Sequence, residues 1–174
     1  MLPSLEFNHQ DSSVTYEPTE DNQLIINARI CFPKPIGMQE FTVNITPETY
    51  LKDISWARTF LRTDIGHLIN FNPYLIDDFN ENGEVFWEYI IKAIRGLPID
   101  PLHSDVLCYQ DNEWIKSPRM HDEPVRHKIL DVIGDLSLLN QRLQGKFTFV
   151  FPGHNFNQAL CSKLYYYKKE MQIT

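Results

Sequence analysis

Apolar and polar residues alternate along the first third of the chain, which is the pattern of half-buried β-strands. The alternation predicts a short strand over 13–17, a longer one over 22–32 and a third around Phe41. The prolines and glycine of the segment 33–37 separate the last two strands, so an antiparallel hairpin with a long loop is expected. Residues 1–12 are polar and irregular, and they are predicted to form a loose arm.

Helical spacing of apolar residues replaces the alternation after residue 46. Thr46 and Pro47 suit the start of a helix, which should carry the segment 57–60 near its C-terminal end. A second helix is expected over 84–95. The Asp-Asn pair at 111–112 favours a turn between two short strands.

A further helix is predicted from Glu123, with Asp122 as its N-cap. One face of this helix is apolar and must be buried. Its members are Val125, Ile129, Val132, Ile133 and Leu136. Beside it, His127, Asp131 and Asp135 form a second stripe at four-residue spacing. Histidine and aspartate at this spacing project from adjacent turns and can bind one cation, although a solvated helical ion pair explains the same spacing.

After this helix the sequence predicts a strand over 146–151, a turn over 152–155 and a last helix. The order of elements is strands, helix, excursion, helix, strand and helix. This order predicts an α+β fold, namely a single domain with a mainly antiparallel sheet and helices layered on one face.

Composition narrows the functional class. With 174 residues, 43% of them hydrophobic and 22% charged, the chain has the composition of an ordinary globular domain. A net charge of −7 argues against general nucleic-acid binding. The sequence has no apolar run of the roughly 18 residues that a membrane span needs, and no signal peptide is expected. Its three cysteines are scattered, which favours a reducing, cytoplasmic setting.

Three segments together resemble one enzyme family. The segment 126–136, Arg-His-Lys-Ile-Leu-Asp-Val-Ile-Gly-Asp-Leu, is similar to the metal-binding helix of UDP-3-O-acyl-N-acetylglucosamine deacetylase, the zinc amidase of lipid A synthesis. The segments 153–160 (Gly-His-Asn-Phe-Asn-Gln-Ala-Leu) and 57–60 (Ala-Arg-Thr-Phe) resemble two further family motifs, in family order. The resemblance implies that residues 1–174 form the second, C-terminal domain of such an enzyme, with a diverged excursion over 61–121.

The resemblance also implies roles for six residues. His127 and Asp131 match two of the three zinc ligands, and the substrate implied is a UDP-linked acylated amino sugar. His154 matches the histidine that stabilises the oxyanion or protonates the leaving amine. The remaining matches are Asp135, which compensates the charge of that histidine, Thr59, which helps to hold the oxyanion, and Lys128, which adds positive charge near the substrate.

The chain departs from the family pattern in two places. The third zinc ligand and the general base of the family lie in a Glu-His-Leu motif of the first domain, and this sequence contains no Glu-His pair. His121 is the local candidate for a substitute third ligand, although it precedes the helix by about a turn and a half. The segment 96–105 lacks the glycine-rich character of the family's acyl passage.

Two functional hypotheses follow. The chain is expected to be half of a deacetylase that is inactive alone. A first domain of the same protein, a partner chain, or a homodimer through the helical layer would complete it. The alternative is a non-catalytic binding or regulatory relative with an incomplete metal site.

Overall fold

The computed structural model describes residues 4–19, 21–62 and 106–171. It divides the chain into two compact units, one formed by Met1–Ala57 with Met120–Thr174 and the other by Arg58–Arg119. The second unit overlaps the excursion predicted over 61–121. The helix predicted over 84–95 and the altered segment 96–105 lie outside the described residues. Within the described ranges, no helix has the length and apolarity needed to cross a membrane.

The described elements are eight strands, three helices and one π-helical turn. The strands are β1 (Leu5–His9), β2 (Ser12–Glu17), β3 (Leu24–Phe32), β4 (Gly37–Asn44), β5 (Phe60–Arg62), β6 (Leu107–Gln110), β7 (Glu113–Trp114) and β8 (Gly145–Val150). The helices are α1 (Pro47–Thr49), α2 (Glu123–Ser137) and α3 (His154–Met171), and the π-helical turn is Tyr50–Ile54.

The first unit is built on a five-stranded sheet in the order β1-β2-β8-β3-β4. All neighbouring strands are antiparallel except β3 and β8, which are parallel. The predicted loose arm over 1–12 is wrong for residues 5–9, because Leu5–His9 pairs with β2 as an edge strand. The ring of Phe7 also packs against Phe156, with 5.5 Å between ring centroids. Tertiary packing therefore orders a segment that is too short and too polar to be recognised from periodicity.

The hydrophobic core lies on one face of this sheet. The buried hydrophobic residues of its central strands are Val14, Tyr16, Ile26, Ala28, Ile30, Phe147 and Phe149. Helix α2 buries the predicted apolar face against them, except that Ile133 is only half-buried. Helix α3 joins the same layer, where Phe156 meets Phe149 edge to face. The opposite face of the sheet is polar and carries the Arg29–Glu40 ion pair. The predicted α+β fold with helices on one face is confirmed.

The helix that starts at Thr46 is shorter than predicted. Thr46 and Thr49 form a reciprocal capping box, so the predicted start is confirmed. The helix then widens into the π-helical turn, closed by the bond from Ser55 N–H to the Tyr50 carbonyl oxygen at 2.8 Å. It ends before residue 57, and Phe60 begins β5, so the expectation that 57–60 is helical is wrong. Of the apolar residues at helical spacing in this segment, Ile54 and Ala57 are buried, but Leu51 is 68% exposed.

The second unit contains a three-stranded sheet in the order β5-β6-β7. Strand β6 runs parallel to β5 and antiparallel to β7. Asp111 and Asn112 adopt positive φ values of 51° and 66°, as a tight hairpin turn with a right-handed strand twist requires. The predicted hairpin is therefore confirmed.

The start of α2 is held by a residue from the sheet. Gln39 of β4 is buried, and its Oε1 atom accepts a hydrogen bond from Val125 N–H at 3.2 Å. Its Nε2 atom donates to the carbonyl oxygens of His121 (3.0 Å) and Ile36 (3.2 Å). Asp122 is the N-cap residue, as predicted, but its side chain makes no capping hydrogen bond in the described part of the chain. Its carboxylate instead binds Arg126.

Candidate active site

Helices α2 and α3 bring five of the six predicted site residues into one cluster. Because the apolar face of α2 is packed on the sheet, its polar stripe faces the first turn of α3. The members of the cluster are His127, Lys128, Asp131 and Asp135 of α2 and His154 of α3. All five belong to the first unit.

His127 and Asp131 face each other across one turn of α2, as the spacing predicts. The Nε2 atom of His127 lies 3.3 Å from Oδ1 of Asp131, and both side chains are mostly buried. The Nδ1 atom of the same ring lies 3.1 Å from the carbonyl oxygen of Ala57. A carbonyl oxygen only accepts, so Nδ1 carries the proton and Nε2 is left as an electron-pair donor in the neutral ring. Two electron-pair donors that face each other at this distance are suited to share a cation.

Lys128 and His154 lie on the other side of the Asp131 carboxylate. Lys128 Nζ is 2.9 Å from Oδ2 of Asp131, and His154 Nε2 is 3.9 Å from the same atom. The two oxygens of Asp131 are thus divided between His127 on one side and Lys128 with His154 on the other. This arrangement places one lysine charge and two imidazole rings around a single carboxylate.

His154 is oriented by Asp135. Its Nδ1 atom lies 2.9 Å from Oδ2 of Asp135, while 46% of the His154 side chain is exposed. Asn157 donates from Nδ2 to the same oxygen at 2.8 Å. The sequence predicts that Asp135 compensates the charge of His154, and the two side chains are in contact. Asn157 was not identified from the sequence, although a polar residue on the inward side of a helix, three residues after His154, was an available signal.

Two candidates from the sequence remain, Thr59 and His121. Thr59 belongs to the second unit, where its carbonyl oxygen accepts a hydrogen bond from Leu107 N–H at 2.8 Å. Its predicted role at the oxyanion stays a prediction. His121 is exposed. Across residues 4–19, 21–62 and 106–171, no group of three or more His, Cys, Asp and Glu side chains is arranged to hold a metal ion. Cys31 and Cys161 are free thiols, and burial raises the pKa of the Cys161 thiol.

Burial lowers the pKa of His127 below the ordinary value of 6.5, although Asp131 and the Ala57 carbonyl act in the opposite direction. The unfolded chain therefore binds this proton more readily than the folded chain, and the folded state loses stability as the pH falls below 6.5. We expect the free energy of unfolding in urea to be lower at about pH 5.5 than at about pH 7.5. His127→Gln should reduce this difference. His9→Gln, at an exposed position of β1, controls for loss of an imidazole, and an equal change in both variants would contradict the prediction.

Comparison with known proteins shows which enzymes the chain is similar to. A family model described as UDP-3-O-acyl N-acetylglycosamine deacetylase matches residues 93–166. The UDP-3-O-acyl-N-acetylglucosamine deacetylase of Coxiella burnetii (strain CbuK_Q154) is 33% identical over 172 residues, which are 97% of this chain and 49% of that protein. The enzymes of the same name from Chlamydia muridarum and Campylobacter lari are 28% and 32% identical, over 91% and 92% of this chain and 48% and 47% of their own lengths.

The chain spans about half the length of the curated relatives that it matches. The residues that the family model matches include all of α2, the part of α3 up to residue 166 and the five residues of the cluster. On this evidence, the chain resembles the UDP-3-O-acyl-N-acetylglucosamine deacetylase family over nearly all of its own length.

Proposed function

We propose that this chain is the part of a zinc-dependent UDP-3-O-acyl-N-acetylglucosamine deacetylase that supplies two metal ligands and an acid–base pair, in lipid A synthesis in the cytoplasm. In the reaction, the oxygen of water bonds to the acetyl carbonyl carbon and the carbon–nitrogen bond breaks. The products are acetate and the free amine of the UDP-linked acylated sugar. The observation that carries the proposal is the His127–Asp131 pair directly beside Lys128 and the His154–Asp135 pair.

The donor set fits zinc in part. His127, with Nδ1 held by a backbone carbonyl and Nε2 turned towards Asp131, has the arrangement usual for a histidine ligand. Zinc, when bound, supplies Lewis acidity that activates water and polarises the carbonyl. A catalytic zinc site takes three protein ligands, so the chain would need one more donor. We propose that this donor and the general base come from the missing half of the enzyme, because the sequence has no Glu-His pair.

His154 would donate the proton to the leaving amine. With Nδ1 held by Asp135, the ring presents Nε2 on the side of Asp131, one of the two proposed metal ligands. The Lys128 ammonium group would stabilise negative charge that develops on the carbonyl oxygen. By family resemblance, Thr59 would add a hydrogen bond to the same oxygen.

The second candidate is a non-catalytic relative that binds a sugar nucleotide or a protein. The missing Glu-His pair favours this alternative, because two ligands alone hold zinc weakly. The catalytic and the non-catalytic proposals predict different results when a first domain with the Glu-His motif is supplied. The donors that this sequence lacks have three possible sources, namely a first domain of the same protein, a separate first-domain polypeptide, or a second copy of this chain packed through the helical layer.

Zinc content of the unchelated protein, measured by elemental mass spectrometry, tests the proposal. We expect well under one zinc per isolated chain. We expect about one zinc per molecule in a chimera in which this chain replaces the aligned half of the Coxiella burnetii relative. His127→Ala and Asp131→Ala should each remove zinc from the chimera, whereas His9→Ala should not.

Acetate release from the acylated sugar nucleotide by the same chimera separates the two functions. A folded, zinc-loaded chimera that releases no acetate would overturn the catalytic reading and favour a binding protein. About one zinc per isolated chain would instead place the third donor within this chain or a second copy of it.

A further inference from the structure

Asn157 is a polar residue in a fully buried position. It is 0% exposed and lies on the inward side of α3, beside Phe156 and Leu160 of the core. Its Nδ2 atom donates to Oδ2 of Asp135 at 2.8 Å. No hydrogen-bond partner for its Oδ1 atom is found within the described ranges. An amide whose carbonyl is buried without a partner is destabilising, and a leucine of similar shape would avoid that penalty. Packing alone therefore does not explain an asparagine here.

The amide donor of Asn157 explains the residue better. One oxygen of Asp135 receives two donors, Nδ2 of Asn157 at 2.8 Å and Nδ1 of His154 at 2.9 Å. Both donors lie on the first turn of α3, three residues apart. The backbone of Asn157 is fixed in that turn by a bond from its N–H to the Gly153 carbonyl oxygen at 2.8 Å. Helix α3 thus determines where Oδ2 of Asp135 lies, because Asn157 is fully buried and its backbone is held in the first turn.

His154 needs this support because its side chain is 46% exposed, so close packing does not fix the ring. If Asp135 rotated about its terminal bond, its oxygen would leave Nδ1, and the proton would no longer be held on that nitrogen. The Asn157 amide opposes the rotation. The orientation of the Asn157 amide is also defined. A carboxylate oxygen only accepts hydrogen bonds, so it must contact the NH₂ group of the amide and not its carbonyl oxygen.

We propose that Asn157 is a positioning residue that holds the Asp135 carboxylate against Nδ1 of His154 and thereby fixes the tautomer and orientation of the His154 ring. The geometric part of this proposal, namely the positions of Asp135 and of the His154 ring, concerns this chain alone. Its effect on turnover rests on the proposed function, in which Nε2 of His154 faces the reacting atoms.

The test of the geometric part is ¹⁵N NMR of the imidazole nitrogens in the full chain. In the wild type, His154 should carry its neutral-state proton on Nδ1. Asn157→Leu should shift the ring towards a mixture of the two tautomers, while the free energy of unfolding stays equal or rises. Asn157→Ala is the second variant in case leucine does not fit. Asn155→Leu, at an exposed position of the same turn, is the matched control and should leave His154 unchanged.

The active chimera supplies the second readout. Asn157→Leu should lower kcat by about 10- to 100-fold with little change in KM. In an Asp135→Asn background the same substitution should have no further effect, because Asn157 acts through that carboxylate. If the chimera is inactive, the proposed function fails while the NMR measurement still decides the position of the proton. Unchanged His154 resonances in a folded variant, or loss of folding in both variants, would overturn the inference and leave Asn157 with a structural role only.

Discussion

Replacing His154 with glutamine in the chimera should lower the rate of acetate release by about 10²- to 10⁴-fold, the usual contribution of a positioned general acid. Glutamine keeps a polar side chain at the start of α3 but cannot transfer a proton. Zinc content should stay unchanged, because the proposed ligands are His127 and Asp131. The measurement is kcat for acetate release together with zinc per molecule in the same preparation.

The control for this prediction is His9→Gln, which removes an exposed imidazole from the edge strand and should leave turnover unchanged. Asp135→Asn should also lower kcat, but by a smaller factor, because it disturbs the orientation of His154 without removing the ring. If His154→Gln lowered turnover and zinc content together, the residue would act on the metal site and the acid role would be refuted.

Replacing Arg126 with methionine should lower the free energy of unfolding by about 2–4 kcal/mol, near the range measured when one partner of a buried ion pair is removed. The guanidinium group is 6% exposed and donates to both carboxylate oxygens of Asp122 at 2.9 and 3.0 Å. It also reaches the carboxylate and the carbonyl oxygen of Asp53, and it lies 3.8 Å from the ring centroid of Phe41. Methionine would keep much of the packing but leave two carboxylates without this cation.

The two carboxylates are 24% and 30% exposed, so water can replace part of the lost interaction and the effect should stay below the largest values. Arg29→Met is the matched control, since Arg29 pairs with Glu40 on the exposed face of the sheet. That pair should contribute less than about 1 kcal/mol. Urea unfolding of the two variants measures the difference. Equal losses would show that Arg126 acts as an ordinary surface residue.

Most of the structural features that depend on local periodicity were predicted from the sequence. The apolar face of α2 and the stripe of His127, Asp131 and Asp135 follow from helical geometry, and the structure shows both. The strands of the central sheet follow from alternation, and the Asp111-Asn112 turn follows from the backbone preferences of those residues. In each case the information lies within a few residues of the element that it specifies.

Predictions failed where a distant residue supplies the decisive contact. Asp122 is a favourable N-cap by composition, yet its carboxylate is occupied by Arg126 and the cap comes from Gln39. The edge strand over 5–9 forms because β2 and Phe156 are present, which no local pattern reveals. Asn157 was missed for the same reason, since its proposed role depends on its hydrogen bond to Asp135, which lies 22 positions earlier in the chain.

The bonds that orient the candidate site also determine how much of the chain would have to be moved to transplant it. Gln39 lies 86 positions before Val125, and the Ala57 carbonyl lies 70 positions before His127. A designer who grafted only residues 122–160 onto a new scaffold would transfer every side chain of the cluster, but neither the anchor of the helix nor the acceptor that orients the first histidine. The smallest portable piece therefore also includes the β3–β4 hairpin and the segment that follows it to Ala57.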